Sequence, residues 1–127
     1  MAGNLTNYLE DKLIDHFLGT TSYTMPADVY VALFTIAPSD AAGGTEVTGG
    51  SYARKIATFT AASSGATSND SNIDFTGMPA ATTVAIGIFD ALTSGNMLLY
   101  GTLTANKTTD AGDTLRIATG DLDISID

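Results

Sequence analysis

Short β-type runs, separated by glycine, serine, threonine, asparagine and aspartate, fill the chain from residue 20 onwards. The strand-length runs are VYVALFT, YARKIATF, NIDF, TVAIGIF, NMLLYGTL, DTLRIAT and DLDISID. Runs bounded by such residues are typical of strands joined by short turns. Because no second helical pattern is available for a parallel crossover, we predict an all-β fold with one N-terminal helix. We expect an antiparallel, jelly-roll-like β-sandwich, with a closed up-and-down barrel as the alternative.

Alternating side chains indicate which faces of these strands are buried. In VYVALFT one face carries Val29, Val31 and Leu33. In DLDISID the apolar residues Leu122, Ile124 and Ile126 alternate with aspartate and serine. A period of two places alternate residues on opposite faces of a strand. We therefore expect the last strand to have one buried face and one solvent face.

The N-terminal segment NYLEDKLIDHFLG has the periodicity of an amphipathic helix. Its apolar stripe repeats every three to four residues, begins at Leu5 just before the segment, and continues with Leu9, Leu13, Ile14, Phe17 and Leu18. Thr6 or Asn7 can cap the start of the helix, and Gly19 suits the left-handed position after its last turn near Leu18. We predict one domain over residues 1–127, with the helix in 1–19 and the β-sandwich in 20–127.

Composition excludes several classes of function. The chain has 14 acidic and 5 basic residues and a net charge of −9, so its surface repels phosphate backbones and nucleic-acid binding is not expected. It has no cysteine, which excludes disulfides and thiolate metal sites. No apolar run approaches the roughly 20 residues that span a bilayer, and Glu10 and Asp11 interrupt any signal-peptide core. We expect no membrane association.

No residue pattern indicates catalysis. His16 is the only histidine, and no GxSxG motif is present. In DAGD, Asp110 and Asp113 could bind calcium or act as paired carboxylates of a small hydrolase, but a turn between strands is the simpler interpretation. We therefore predict a protein that is not an enzyme, with no catalytic residue, no cofactor and no metal site.

The stretch GIFDALTSGNMLLYG, residues 87–101, predicts a β-hairpin. Two apolar strands flank LTSGN, in which Gly95 or Asn96 can adopt the positive φ that such a loop requires. Asp90 precedes the turn, where a carboxylate can accept backbone N–H bonds. A role in holding the loop is therefore favoured over a catalytic role for Asp90.

Four segments together resemble a family of small tailed-phage virion proteins. They are NYLEDKLIDHFLG, VYVALFTIAP, GGSYARKIATF and GIFDALTSGNMLLYGTL, and the most specific parts are GGSYAR (49–54) and GIFDA (87–91). Members are often labelled tail fibre proteins, and some are capsid decoration or cement proteins. The family pattern often has an aromatic residue, commonly tryptophan, ahead of GIFDA, whereas this chain has none between Phe75 and GIFDA.

The resemblance implies a non-enzymatic virion structural protein that is assembled in the host bacterial cytoplasm. We favour a capsid decoration or cement protein that binds the outside of the head, with the major capsid protein as its partner. The alternative is a tail fibre or tail-tip protein that binds other tail proteins and takes part in host adsorption. Because coat proteins are usually symmetric, we expect a homo-oligomer and favour a trimer.

Two segments supply the predicted contact surface. The first is the helix, and the second is the start of the YARKIATF run; their candidate residues are Tyr8, Leu9, Leu13, Phe17, Tyr52, Arg54 and Lys55. A helix that only closes one end of the sandwich is the alternative. For an adhesin, the chain has no tryptophan to stack on sugars, although Tyr23, Tyr52 and Tyr100 could substitute.

Overall fold

A computed structural model describes residues 4–126. The elements in chain order are β1 (Asn4–Leu5), α1 (Asn7–Phe17), β2 (Val29–Ile36), β3 (Thr45–Glu46), β4 (Lys55–Ala57), β5 (Ala66–Ser68), β6 (Ile73–Met78), β7 (Ala81–Phe89), β8 (Met97–Thr109), β9 (Asp113–Ile117) and β10 (Asp123–Ser125).

The strands form one large antiparallel sheet and two small ones. The large sheet has six strands in the order β1-β8-β7-β2-β3, and β4 pairs with β2 on the same side as β3. The small sheets are the pairs β5–β10 and β6–β9. Strand β7 is central, since it pairs with β2 and β8 along most of its length. The predicted all-β fold with one N-terminal helix is confirmed.

The main core lies between the large sheet and the small sheets, which gives the fold its sandwich character. Val31 and Leu33 of β2 and Ile86 of β7 pack in one cluster with Phe75 of β6 and Leu115 of β9. These side chains are almost fully buried. Burying such apolar side chains contributes about 1.5–3 kcal/mol each relative to exposure.

Strand β2 is buried on both faces. Its predicted inner face includes Val31 and Leu33, but Ala32 and Phe34 on the opposite face are buried as well. They form a second cluster with Phe89 of β7 and other residues, which Ala42 helps to cover. The ring of Phe34 stacks on that of Phe89 with centroids 6.3 Å apart. The alternation of apolar residues along β2 predicted its first buried face. The second face is covered in part by the turn that contains Ala42, which the alternation could not indicate.

Three strands differ in length from the sequence prediction. The YARKIATF run is a strand only over Lys55–Ala57. Strand β8 continues beyond the predicted Leu103 to Thr109, through a bulge in which Val84 alone faces the stretch 103–106. The last strand has three residues, which pair one to one with the three residues of β5.

The last strand is also less amphipathic than predicted. Leu122 is buried just before β10 and Ile124 within it is half-buried, whereas Ile126 beyond the strand is exposed. Asp127, part of the same prediction, lies outside the described residues.

The predicted capping of the helix is confirmed. Thr6 is the N-cap, and its hydroxyl accepts a hydrogen bond from the Leu9 N–H at 3.4 Å. The same hydroxyl donates to the Met97 carbonyl at 2.7 Å, so the cap also joins the helix to β8. Gly19 has a φ of +77°, the left-handed conformation expected after the last turn. The start of α1 is therefore held against the large sheet.

The predicted hairpin is confirmed as the connection between β7 and β8. Gly95 has a φ of +74°, and Ser94 before it is also left-handed at +54°. The Asp90 carboxylate accepts the Asn96 backbone N–H at 2.7 Å and its side-chain amide N–H at 2.9 Å. Asp90 thus holds the loop, as its position in the sequence suggested. We call residues 90–96 the hairpin loop.

A buried asparagine joins the small sheets. The Asn69 carbonyl oxygen accepts the Leu122 N–H at 2.9 Å. Its amide nitrogen donates to the carbonyls of Ser71 at 2.9 Å and Ala118 at 3.0 Å. One side chain therefore satisfies backbone groups of two connections, the one before β6 and the one between β9 and β10.

We predict that Asn69→Ala lowers the free energy of unfolding by about 2–3 kcal/mol, because it leaves several backbone groups without partners in a closed environment. Urea denaturation followed by circular dichroism measures this loss. Asn106→Ala, at an exposed position on β8, is the control and should change stability by less than about 0.5 kcal/mol. Equal effects of the two substitutions would contradict the proposed role of Asn69.

Candidate interaction surface

Arg54 connects Glu46 of β3 to the hairpin loop. Its Nε and Nη2 donate to the two carboxylate oxygens of Glu46, both at 3.0 Å, in a two-point ion pair. Nη1 donates to the carbonyls of Ala91 at 3.0 Å and Ser94 at 2.8 Å. The guanidinium also lies 3.6 Å from the centre of the Phe89 ring. Every nitrogen of this side chain is therefore engaged within the fold, and the side chain is only 9% exposed.

Tyr52 shares the same carboxylate. Its hydroxyl donates to Glu46 Oε1 at 2.9 Å and accepts the Leu33 N–H at 2.9 Å. The ring stacks on Phe75 with centroids 6.0 Å apart. Burial raises the pKa of Tyr52 above its ordinary value of 10.0, the Glu46 carboxylate raises it further, and the bond from Leu33 acts in the opposite direction. The phenol is therefore held in its neutral form.

The segment from Tyr52 to Lys55 thus has a structural role that sequence analysis missed. Its aromatic and basic composition suggested an exposed contact site, but Tyr52 packs on the core and Arg54 binds Glu46. Lys55 is half-buried in β4, where it pairs with Val31 of β2. The ion pair could not be predicted from the sequence, because its partners are eight residues apart. They come together only because β3 and β4 both pair with β2. A contact role for this segment stays a prediction.

The hairpin loop contacts the 52–55 segment and the start of the helix. On one side, a crevice is lined by Tyr52, Arg54 and the loop residue Leu92. On the other side, a second crevice is lined by Tyr8 of the helix and the loop residue Asn96. Leu92 is exposed, although sequence analysis did not single it out. This end of the protein therefore presents an apolar side chain between the helix and the 52–55 segment.

The apolar stripe of the helix is divided between two faces. Leu9 is buried and Leu13 half-buried against the sheet, whereas Ile14, Phe17 and Leu18 are exposed. At about 100° per residue, Ile14 and Leu18 lie on the side of the helix away from Leu9, and Phe17 lies between that side and the side of Leu9. The stripe predicted from the sequence therefore has an inner part that packs and an outer part that does not.

The tyrosines considered as sugar platforms are engaged in other contacts. The ring of Tyr52 is stacked on Phe75. The Tyr100 hydroxyl donates to Asp40, and this hydrogen bond raises the pKa of Tyr100. Tyr23 is half-buried, and its pKa is raised first by burial and then by the nearby Tyr8 and Asp90. A sugar stacks on the open face of an aromatic ring, and Phe75 already covers one face of the Tyr52 ring.

The residues considered for catalysis or metal binding have structural partners. His16 Nδ1 accepts the Tyr23 N–H at 3.1 Å. Asp113 accepts the Asp110 N–H at 2.8 Å and closes the turn between β8 and β9, as the turn interpretation predicted. Over residues 4–126 no group of three or more histidine, cysteine, aspartate or glutamate residues could hold a metal ion. In the same range no helix has the length and apolarity to cross a bilayer.

The fold and the surface describe an antiparallel β module that is cross-linked internally by polar side chains and presents a hairpin loop and a helix to its surroundings. The chain belongs to the family described as Podophage GP4 fiber I protein gp80, whose family model matches residues 4–125. No curated protein matches the chain. The resemblance to phage virion structural proteins is confirmed. The description of the family favours the tail-fibre alternative over the capsid decoration protein that we favoured from the sequence.

We predict that Arg54→Met lowers the free energy of unfolding by about 3 kcal/mol, because it leaves Glu46 and two carbonyls of the hairpin loop without their donor. Urea denaturation near neutral pH measures the loss. Arg116→Met is the matched control, since Arg116 pairs with Asp74 at 2.7 Å in an exposed position. Solvent screening makes that pair weak, so its loss should be much smaller. Comparable losses in the two variants would contradict a central role for Arg54.

We predict that Tyr52→Phe reduces the alkaline loss of stability. The pKa of Tyr52 is higher in the folded chain than in the unfolded chain, so its contribution is complete below about pH 10 and is lost as the pH rises above that value. Urea midpoints measured from about pH 8 to about pH 11 test this. The variant should be about 1 kcal/mol less stable at the lower pH and should show a shallower decline. A decline parallel to that of the wild type would contradict the prediction.

Proposed function

We propose that the chain is a non-enzymatic structural component of a phage tail fibre and that it binds other tail proteins. The observation that carries this proposal is the family match, which extends over residues 4–125 and refers to a fibre protein. The match includes both the helix and the β strands of the chain. The match supports a position on the tail rather than on the capsid surface.

The use of polar side chains supports a structural role. Catalytic groups need a reacting atom within reach and a free lone pair or proton. Here Arg54, Asp90 and Asn69 each hold backbone groups of other segments, and His16 accepts a backbone N–H. Residues that are committed to the fold in this way stabilise a module that must persist in a particle outside the cell.

The exposed apolar side chains support a role in assembly. Monomeric proteins rarely concentrate large apolar residues on one exposed site without a partner. The outer side of the helix and Leu92 of the hairpin loop expose such residues. We propose that contacts of this kind fix the module among neighbouring tail proteins. A homo-oligomer, with a trimer favoured, and a part in host adsorption complete the proposal.

Locating the protein on the virion tests this proposal most directly. We predict that gold-labelled antibodies raised against the purified chain bind the tail of intact particles in negatively stained electron micrographs. Particles from a phage with the gene deleted are the control and should bind no gold. Gold distributed over the head would contradict the tail proposal and support capsid decoration instead. Absence of the chain from particles would contradict any virion role.

A further inference from the structure

The outer side of the helix carries three exposed apolar residues in the spacing of a docking motif. Ile14 is 57% exposed, Phe17 74% and the C-cap residue Leu18 78%. They stand at positions i, i+3 and i+4, which place them side by side on one surface of a helix. We call these three residues the outer apolar patch. Amphipathic helices insert this pattern of anchors into apolar grooves of their partners.

Acidic residues lie next to the outer apolar patch. Glu10 and Asp11 precede Ile14 by four and three residues, so they lie one turn earlier on the same side of the helix, and both are exposed. Lys12 is the only lysine or arginine of the helix. Its Nζ lies 5.6 Å from the centre of the Tyr8 ring, on the flank away from the patch. A partner groove that receives this surface must therefore supply positive charge beside its apolar floor.

We propose that the outer apolar patch and the adjacent acids Glu10 and Asp11 dock into an apolar groove rimmed by lysine or arginine on a neighbouring protein of the virion. The inference rests on the proposed function, because it takes the neighbour from the particle. It adds the surface that makes the contact and the chemistry of the partner. Phe17 and Leu18 fill the groove, and the two carboxylates pair with its basic rim.

The order of the helix before binding favours such docking. Thr6 caps the helix and binds β8, while Leu9 packs on the inner side. The three anchors are therefore held on a helix that is already formed. A partner does not have to supply the free energy for ordering this segment, which leaves more of the contact free energy for affinity.

A second copy of the chain does not match the surface. In a pairing of two copies through this side of the helix, each copy would bring the carboxylates of Glu10 and Asp11 to the contact, where like charges repel each other. If two copies paired through this side of the helix, neither would present a lysine or arginine from that side, because Lys12 lies on the other flank. The carboxylates of Glu10 and Asp11 would be left without basic partners at the edge of the contact. The charges favour a different protein with a basic rim.

Incorporation into particles tests the apolar part of the proposal. A phage with the gene deleted is grown in cells that supply either the wild-type chain or the double variant Phe17→Ser/Leu18→Ser from a plasmid. Quantitative mass spectrometry of purified particles then measures copies of the chain per particle. We expect the double variant to be reduced at least about tenfold.

The matched control is Ile36→Thr, which reduces an apolar side chain that is 61% exposed and stands at the end of β2 rather than on the helix. It should be incorporated like the wild type. Urea denaturation of each purified chain verifies that both variants are folded, since both change exposed positions. A reduction that is equal for the control and the double variant would overturn the assignment of the contact to the helix.

Salt tests the electrostatic part. Particles are washed at about 0.05 M and about 0.5 M NaCl, and the released chain is measured. We expect high salt to release several times more of the wild-type chain. Glu10→Gln/Asp11→Asn should be released more readily at low salt and should depend less on salt. Equal salt dependence of this variant and the wild type would overturn the basic rim.

The outcomes separate this inference from the proposed function. Failure of the wild-type chain to enter particles would overturn both. Full incorporation of Phe17→Ser/Leu18→Ser would overturn the docking surface and leave the virion role intact. Analytical ultracentrifugation of the purified chain distinguishes the remaining occupant, because self-association that this double variant abolishes would identify a second copy and overturn the proposal.

Discussion

The two-point ion pair between Arg54 and Glu46 is the contact on which the loop end of this protein depends. Glu46 belongs to a strand of only two residues, which cannot hold its place by ladder hydrogen bonds alone. The guanidinium fixes that strand, caps two carbonyls of the hairpin loop and covers the Phe89 ring. Tyr52 adds a hydrogen bond to the same carboxylate. The guanidinium is only 9% exposed, although Glu46 is 27% exposed, so removing the guanidinium leaves a carboxylate and two carbonyls without their donor.

The same physical solution recurs wherever the strands are short. Thr6 joins the helix to β8, Asp90 holds the hairpin loop, and Asn69 joins the two small sheets. Each of these side chains bonds to backbone groups that lack a partner strand, so each replaces part of a ladder. A module with many short strands thus obtains order from side chains in its connections. The polar residues are used internally, and the exposed apolar residues of the helix are left for contacts with other proteins.

The sequence predicted the fold class, the helix and the hairpin well because each depends on local patterns. Capping at Thr6, the left-handed Gly19 and the loop-holding role of Asp90 follow from residues close to one another in the chain. The contact surface was harder to predict. An aromatic and a basic residue close together in a sequence are typical of an exposed contact site. A phenol and a guanidinium are, however, equally suited to hydrogen bonds with a buried carboxylate. The choice depended on Glu46, whose location is set by the pairing of β3 with β2.

What the sequence by itself determined is the set of local structures: one capped helix, a series of strands with turn residues between them, and an acidic surface without catalytic motifs. These follow from periodicity, backbone preference and charge, which are properties of neighbouring residues. The tertiary structure alone decided that β2 is buried on both faces and that the apolar stripe of the helix divides, with Leu9 inward and Phe17 outward. The reason is that burial depends on which distant segments cover a face. When the apolar stripe of a helix is wider than the surface that contacts the sheet, only part of the stripe is buried, and the rest of it is exposed.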